Sequence, residues 1–243
     1  MKYVSLPTSE PRRLSFYLAM EEFVARHLLP EGMPMAESDA FFMWQVEPSV
    51  IFGRNQVLEN EVNVPYCREH GIRLYRRKSG GGCVYADMDN LMLSYVTSED
   101  NVNFAFNRFV NMILLVLRRL GIEATGSSHN DVMIGDRKVC GTACYHLEGK
   151  SIVHSTMLYD TNMDHMLNAI TPSHEKLQKK GIESVRQRIT FLKNFTNLDG
   201  VEALKDFIRD TLCFGEYRLS EADVAAIEAI EETYLKEEFI NLL

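Results

Sequence analysis

The chain of 243 residues contains no long uninterrupted apolar run, and a membrane-spanning helix needs roughly 20 such residues. No transmembrane helix is therefore expected. Met1-Lys2-Tyr3-Val4-Ser5 lacks the apolar stretch of a secretion signal. Cysteine is scarce and odd in number, with Cys67, Cys83, Cys140, Cys144 and Cys213 scattered along the chain. A disulfide framework is not expected, and a reducing cytoplasmic setting fits better. Cys140 and Cys144 have no second Cys or His pair at a suitable spacing, which speaks against a closed four-ligand zinc site. Positive charge is also short: 26 Lys and Arg against 34 Asp and Glu leave a net charge of -8. A general nucleic-acid binder would need a basic surface. No repeat, low-complexity tract or linker divides the sequence, so residues 1–243 are expected to form one domain.

What stands out instead is Arg76-Arg77-Lys78-Ser79-Gly80-Gly81-Gly82-Cys83-Val84-Tyr85-Ala86-Asp87. Glycines let a backbone approach a ligand closely. Successive free N–H groups can form a concavity for an anion. Flanking guanidinium groups suit phosphate or carboxylate. The stretch reads either as a loop holding an anionic ligand or as a glycine-rich hairpin turn with solvated arginines. Ile72–Tyr75 and Leu91–Val96 read as strands on either side of it. The Gly-x-x-x-x-Gly-Lys-Ser/Thr spacing of a P-loop is missing.

Around this block the chain alternates helices and strands. Ser15–Leu29 has a helical pattern, with Glu21, Glu22 and Arg26 between apolar positions. Pro30, Glu31, Gly32 and Pro34 make a loop. Phe41–Val46 and Val50–Phe52 read as strands, and Gly53-Arg54-Asn55-Gln56 closes the second. Arg54 is a turn arginine or reaches into a pocket. A short helix lies between Glu59 and His70, ended by Gly71. Phe104–Leu120 is the clearest helix, with a broad apolar face, Arg118 and Arg119 at its end and Gly121 terminating it. Asp131–Ile134 and Ser151–Leu158 are expected strands. Lys138 lies between them, either an exposed hairpin lysine or a fixed charge in a pocket. His154 is either a hydrogen-bonded structural histidine or a site residue. Thr161–Leu167 looks helical and Thr171–Ser173 looks like a loop. The basic segment Lys176–Arg188 covers a bound anion or is a solvated loop. Val201–Leu212 is amphipathic. Ser220-Glu221-Ala222-Asp223 starts a last helix expected to run on through Phe239 with an anionic outer face.

Five blocks occur together in order: Gly53–Gln56, Arg76–Asp87, Asn130-Asp131, Asp136-Arg137-Lys138-Val139-Cys140-Gly141, and Lys180–Arg188. In combination the chain resembles the lipoate–protein ligase A family, within the biotin/lipoate ligase fold, from about Ser15 to about Phe214. The resemblance implies an α/β (α+β) fold with a mostly antiparallel central sheet flanked by helices. It implies a two-step reaction, in which lipoate and ATP, with Mg2+, give lipoyl-AMP and pyrophosphate, and the lipoyl group then passes to a lysine. The implied acceptors are lipoyl domains of 2-oxoacid dehydrogenase E2 subunits or a glycine-cleavage H-like protein.

Carried over residue by residue, the resemblance places Arg77 and the backbone of Gly82, Cys83, Val84 and Tyr85 on the nucleotide. Gly80 and Gly81 border the lipoyl tunnel. Lys138 contacts the lipoyl carboxylate and the phosphate as the catalytic residue. Asn130 and Asp131 orient the nucleotide or the metal, with Asp131 as the metal ligand, and His154 joins the site. The sequence departs from the family pattern at Ala86, at Ser128-His129 and at Ser155. The family's small C-terminal accessory domain is not expected within residues 1–243, so a separate accessory subunit is an implied partner. Rival implications are an octanoyl or lipoyl transferase using a cysteine, with Cys83 and Cys140 near the pocket, a biotin ligase, and a lipoate-binding protein that has lost adenylation.

Overall fold

A computed structural model describes residues 1–29, 39–147, 149–170 and 188–241. The expected loops at 30–34 and 171–173, and the basic segment 176–188 except Arg188, lie outside the described residues. Two sheets carry the fold. The larger contains β1 (Lys2–Ser5), β2 (Ala40–Trp44), β6 (Asn90–Thr97), β7 (Thr125–Gly126), β8 (Val132–Ile134), β9 (Arg137–Leu147), β10 (Lys150–Leu158) and β11 (Gly215–Arg218). Its order is β11-β1-β2-β6-β10-β9-β8-β7. The smaller sheet contains β3 (Ser49–Phe52), β4 (Arg73–Arg76) and β5 (Val84–Ala86), in the order β4-β3-β5. Strand β1 runs parallel to both of its neighbours, and the other pairings of the larger sheet are antiparallel. This is the mixed, mostly antiparallel α/β architecture expected.

Alternation along the strands divides the core. Phe42, Trp44, Met92, Val96 and Ile152 face one side of the larger sheet. They meet α1 (Leu14–Phe23) and α7 (Glu221–Leu235) there. Phe41, Met43, Leu91, Leu93, Tyr95 and Val153 face the other side, against α4 (Val102–Arg119) and α6 (Gly200–Leu212). The smaller sheet turns Val50, Phe52 and Tyr85 toward α3 (Val64–Glu69) and α5 (Met163–Ala169). The opposite face of that sheet, with Ile51 and Ala86, joins the first core. A one-turn helix, α2 (Leu58–Glu61), precedes α3.

Helix α4 shows how local sequence sets an element. Asn101 caps it by accepting from the backbone N–H groups of Asn103 and Phe104. Phe109, Ile113, Val116 and Leu117 lie on its buried face, each contributing about 1.5–3 kcal/mol over an exposed position. Its end comes at Gly121, with φ +76°.

Helix α1 is enclosed on every side, and two expectations for the last helix need correction. Glu21 and Glu22, which lie between apolar positions, are themselves enclosed, because every residue of that helix is buried. A helix enclosed on all sides must pair its charges internally, and both glutamates do (below). The last helix does not run through to Phe239. It ends at Leu235, Lys236 is extended, and α8 (Glu237–Asn241) follows. That bend returns Phe239 edge-on to Tyr234 and brings the Ile240 carbonyl to Arg76. The outer face of α7 also loses Glu231, which turns in to Ser15 and Arg13. The Ser220–Asp223 helix start is present as a capping box. Strands β1 and β11 were not foreseen. Among the described residues no helix is long and apolar enough to cross a membrane.

Candidate active site between the glycine loop and strand β9

The glycine block connects β4 to β5, and its cations turn inward. Arg77 is 4% exposed. Its Nε donates to Ser79 Oγ at 2.9 Å, Nη1 to the Ile51 carbonyl at 3.2 Å, and Nη2 to the Gly80 and Gly82 carbonyls at 2.7 Å each. Burial pulls its pKa down to about 10. Arg76 donates to the carbonyls of Gly53, Arg54, Gln56 and Ile240 and lies over the Phe52 ring. Lys78 pairs with Glu22 at 2.6 Å, and Tyr234 donates to the same carboxylate. Arg76 and Lys78 therefore do not serve as the anion-binding cations that the local sequence suggested. The curled loop turns several carbonyls inward, and buried carbonyls need donors. Close packing explains two of the glycines. Gly81 has φ +91°, and a Cβ at Gly53 would come within 2.4 Å of the Gly81 carbonyl oxygen.

Strand β9 makes the facing wall. A Cβ at Gly81 would lie 4.0 Å from Ala143 Cβ. Where β9 pairs with β8, Met133 opposes Lys138 but Val132 opposes Cys140. The extra residue is a β-bulge, a device that re-aims a side chain. The Lys138 backbone is fixed further by a parallel bridge to Ile189, with Thr190 N donating to the Lys138 carbonyl at 2.9 Å. Its ammonium lies 3.2 Å from Asp131 Oδ1, and the lysine side chain is 38% exposed. Gly141 clears its path, since a Cβ there would come within 2.8 Å of Lys138 Cε and 2.9 Å of Nζ.

Between these walls lies a cavity of about 120 Å³. Leu18, Trp44, Ile51, Val84 and Met92 form its apolar part, while Arg77 and Lys138 bring charge to it. His154 also lines it, with both ring nitrogens engaged. Nδ1 is 2.9 Å from Glu21 Oε2 and Nε2 is 2.6 Å from Ser79 Oγ. The site is a narrow apolar slot with an exchangeable lysine ion pair at one wall and backbone-rich glycines at the other. It suits a ligand with a hydrocarbon end and an anionic end.

Residues 14–212 match the family described as lipoyl protein ligase A/B catalytic domain. The chain belongs to this family. It is 35% identical over 226 residues to lipoate–protein ligase LplJ of Bacillus subtilis, covering 88% of this chain and 66% of that protein. It is also 35% identical over 221 residues to lipoate–protein ligase 1 of Staphylococcus aureus, covering 88% of this chain and 65% of that protein. The chain thus spans just under two thirds of the length of these curated relatives. Among solved structures it is similar to a bipartite lipoate protein ligase from Thermoplasma acidophilum, studied with its E2 lipoyl domain. The TM-score is 0.83 at 27% identity, covering all of this chain and 98% of that one.

Of the residues carried over from the lipoate–protein ligase pattern, Arg77, Gly81, Gly82, Cys83, Val84, Lys138 and His154 line the cavity. Gly80 sits beside it, with its carbonyl on Arg77. Tyr85 turns its ring to the opposite face of β5, into the third core, as strand alternation requires. Asn130 has φ +61° and gives its carbonyl to Thr142 Oγ1 at 2.7 Å. Asp131 reaches the site through Lys138. Ala86 is buried in the core away from the cavity lining. The sequence reading missed Leu18, Glu21, Trp44, Thr142 and Ser79. Two adjacent acids after an uncharged, mostly apolar run from Leu14 to Met20 were the available signal for Glu21.

All five cysteines are free, and burial opposes thiolate formation at each thiol near the site. Cys83 and Cys140 are pushed up to about 12 and Cys144 to about 11. A nucleophilic cysteine needs the reverse.

Proposed function

We propose that this chain is the catalytic domain of a lipoate–protein ligase. The lipoate carboxylate attacks the α-phosphorus of ATP. A carboxyl O–P bond forms and the α–β phosphoanhydride bond breaks, giving lipoyl-AMP and pyrophosphate. A lysine amine of the acceptor then attacks the acyl carbon. A C–N bond forms, the acyl C–O bond breaks with AMP leaving, and the amine proton passes to solvent.

The observation that carries this reading is Lys138, a partly exposed ammonium at the wall of a slot with an apolar inner part, made room for by Gly141. Bringing a carboxylate up to a triphosphate sets two anions together, and a fixed cation offsets the repulsion and the charge that develops. Exchange of Lys138 from Asp131 to the ligand supplies that charge where it is needed. The lipoyl chain occupies the apolar part, at about 0.8 kcal/mol for each buried CH₂. The Gly80–Val84 backbone and Arg77 shape the nucleotide end, and Asn130 borders it.

Magnesium takes one or two carboxylates together with phosphate oxygens. Among the described residues no group of three His, Cys, Asp or Glu gathers round one point. The single carboxylate of Asp131 fits an ion held chiefly by the phosphates. The ion would neutralise charge on the leaving pyrophosphate.

The acceptor we propose is a lipoyl domain of a 2-oxoacid dehydrogenase E2 subunit or a glycine-cleavage H-like protein. The Thermoplasma relative, studied with its E2 lipoyl domain, supports the former. Its bipartite make-up supports a separate accessory polypeptide assisting adenylation, with residues 1–243 acting as one catalytic domain. Free cysteines suit a cytoplasmic setting. The raised thiols speak against a cysteine-dependent transferase.

Incubation with lipoate, ATP and Mg2+, followed by mass spectrometry, should yield lipoyl-AMP and a lipoylated lipoyl domain. If neither product forms, with or without a candidate accessory polypeptide, the ligase reading fails.

A further inference from the structure

A buried chain of hydrogen bonds runs behind the cavity wall and links its two ends. Trp44 Nε1 donates to Ser94 Oγ at 2.9 Å, and Ser94 Oγ donates to Glu21 Oε1 at 2.6 Å. Glu21 Oε2 is 2.9 Å from His154 Nδ1, and His154 Nε2 is 2.6 Å from Ser79 Oγ. Ser79 Oγ accepts from Arg77 Nε at 2.9 Å. Trp44, His154 and Arg77 line the cavity, while Glu21, Ser79 and Ser94 stand behind it.

The proton order along this chain is set at its two ends and open at His154, whose ring nitrogens donate or accept according to the tautomer. Indole and guanidinium nitrogens only donate. Ser79 accepts from Arg77, and in one order its own proton goes to His154 Nε2. The histidine then carries its hydrogen on Nδ1 and donates it to Glu21. In the other order Nε2 donates to the second lone pair of Ser79 Oγ, and the hydroxyl proton has no acceptor in the chain. The Ser79–His154–Glu21 spacing matches that of a nucleophile–base–acid triad. Ser79 is nevertheless no nucleophile, because it does not line the cavity and its oxygen is taken by Arg77.

The other donors of Arg77 hold the Ile51, Gly80 and Gly82 carbonyls. The orientation of this guanidinium therefore sets the shape of the glycine loop. We propose that Ser79 is a positioning residue that couples the two substrates. An acid seated between Trp44 and His154 settles the chain, Ser79 passes that order to Arg77, and the loop is held in the form that takes the nucleotide. The coupling is reciprocal, as any binding linkage must be. This inference rests on the ligase reading above, and it assigns to the loop a sensing part that the reading alone does not require.

The test is titration calorimetry on the intact protein with lipoate and with an α,β-methylene analogue of ATP, which cannot transfer its adenylyl group. The analogue should bind the wild type about tenfold more tightly when lipoate is saturating, within the usual range for coupled sites. Ser79→Ala should bring that ratio close to one, and Ser79→Thr, which keeps the hydroxyl, should restore most of it. Glu21→Gln provides an isosteric second variant. Its side chain can accept from only one of Ser94 and His154, so one link of the chain is lost and the ratio should fall there too. A merely structural role for Ser79 would weaken both ligands or lower the melting temperature while leaving the ratio unchanged. A wild-type ratio preserved in Ser79→Ala, or a wild-type ratio of one with both ligands bound, overturns the coupling and leaves the ligase reading standing. Failure of the wild type to bind either ligand overturns both.

Discussion

The glycine loop and strand β9 each bring one cation to the same cavity, and they hold it in opposite ways. Arg77 is enclosed, with its fork on the Ile51, Gly80 and Gly82 carbonyls and the Ser79 hydroxyl. Lys138 is partly exposed, with one exchangeable contact to Asp131 and open space kept for it by Gly141. A buried arginine serving neutral carbonyls is committed to holding shape. A lysine in a wet ion pair, of the kind worth about 1 kcal/mol or less, can leave its partner for a ligand. The density of positive charge in Arg76-Arg77-Lys78 is therefore a poor guide to which cation is free to meet a ligand.

The largest expected effect separates the two directly. Lys138→Ala should lower lipoate-dependent ATP–pyrophosphate exchange by about 100-fold or more, the scale of losing a charge-stabilising group. Its thermal midpoint should stay near that of the wild type. Wild-type exchange would remove Lys138 from the chemistry. Arg77→Met should do its main damage to the fold, costing about 3 kcal/mol in urea unfolding because several buried carbonyls lose their donor. An unfolding midpoint equal to that of the wild type would show that the loop does not depend on this guanidinium.

Gly141→Ala sharpens the contrast from the lysine side. The new methyl group meets the flexible end of Lys138, 2.8 Å from Cε and 2.9 Å from Nζ, so the side chain moves and the backbone need not. Exchange should fall about tenfold through misplacement, with a stability change below about 1 kcal/mol. A large loss of stability with normal exchange by the folded fraction would contradict this view of Gly141.

The smallest effect belongs to the cysteine on the loop wall. The Cys83 thiol, raised to about 12, is protonated at pH 8, and its thiolate fraction grows only as pH approaches that value. Iodoacetamide labelling at pH 8 should run about 1,000-fold below that of an ordinary thiol of pKa near 9. Cys83→Ser should change transfer less than about twofold. Rapid labelling together with loss of transfer would revive the thiol-dependent alternative.

Much of the frame could be read from local pattern. The apolar spacing of α4, its end at Gly121, the Ser220–Asp223 capping box and the glycine block between strands all depend on neighbours within a turn or two. The parts that escaped depend on distant partners. Nothing near Glu21 or Glu22 announces His154, Lys78 or Tyr234, which lie 133, 56 and 212 residues away along the chain. Strands β1 and β11 are four residues each, and they exist because they pair with each other and, through β1, with β2. Lys138 looked like a hairpin residue until the family pattern singled it out. The bulge in β9 and the bridge to Ile189 give the physical reason it points where it does.

In the proposed reaction the slot between these two walls holds the acyl adenylate with Lys138 on it. A crystal structure with a non-hydrolysable lipoyl-AMP analogue tests this most directly. The acyl chain should lie between Trp44 and Ala143, the nucleotide against Gly82–Val84, Arg77 still on its carbonyls, and Lys138 Nζ moved to within about 3 Å of the acyl or phosphate oxygen. An analogue bound elsewhere, or one bound in the slot while Lys138 stays on Asp131 and Arg77 swings onto the phosphate, would contradict it.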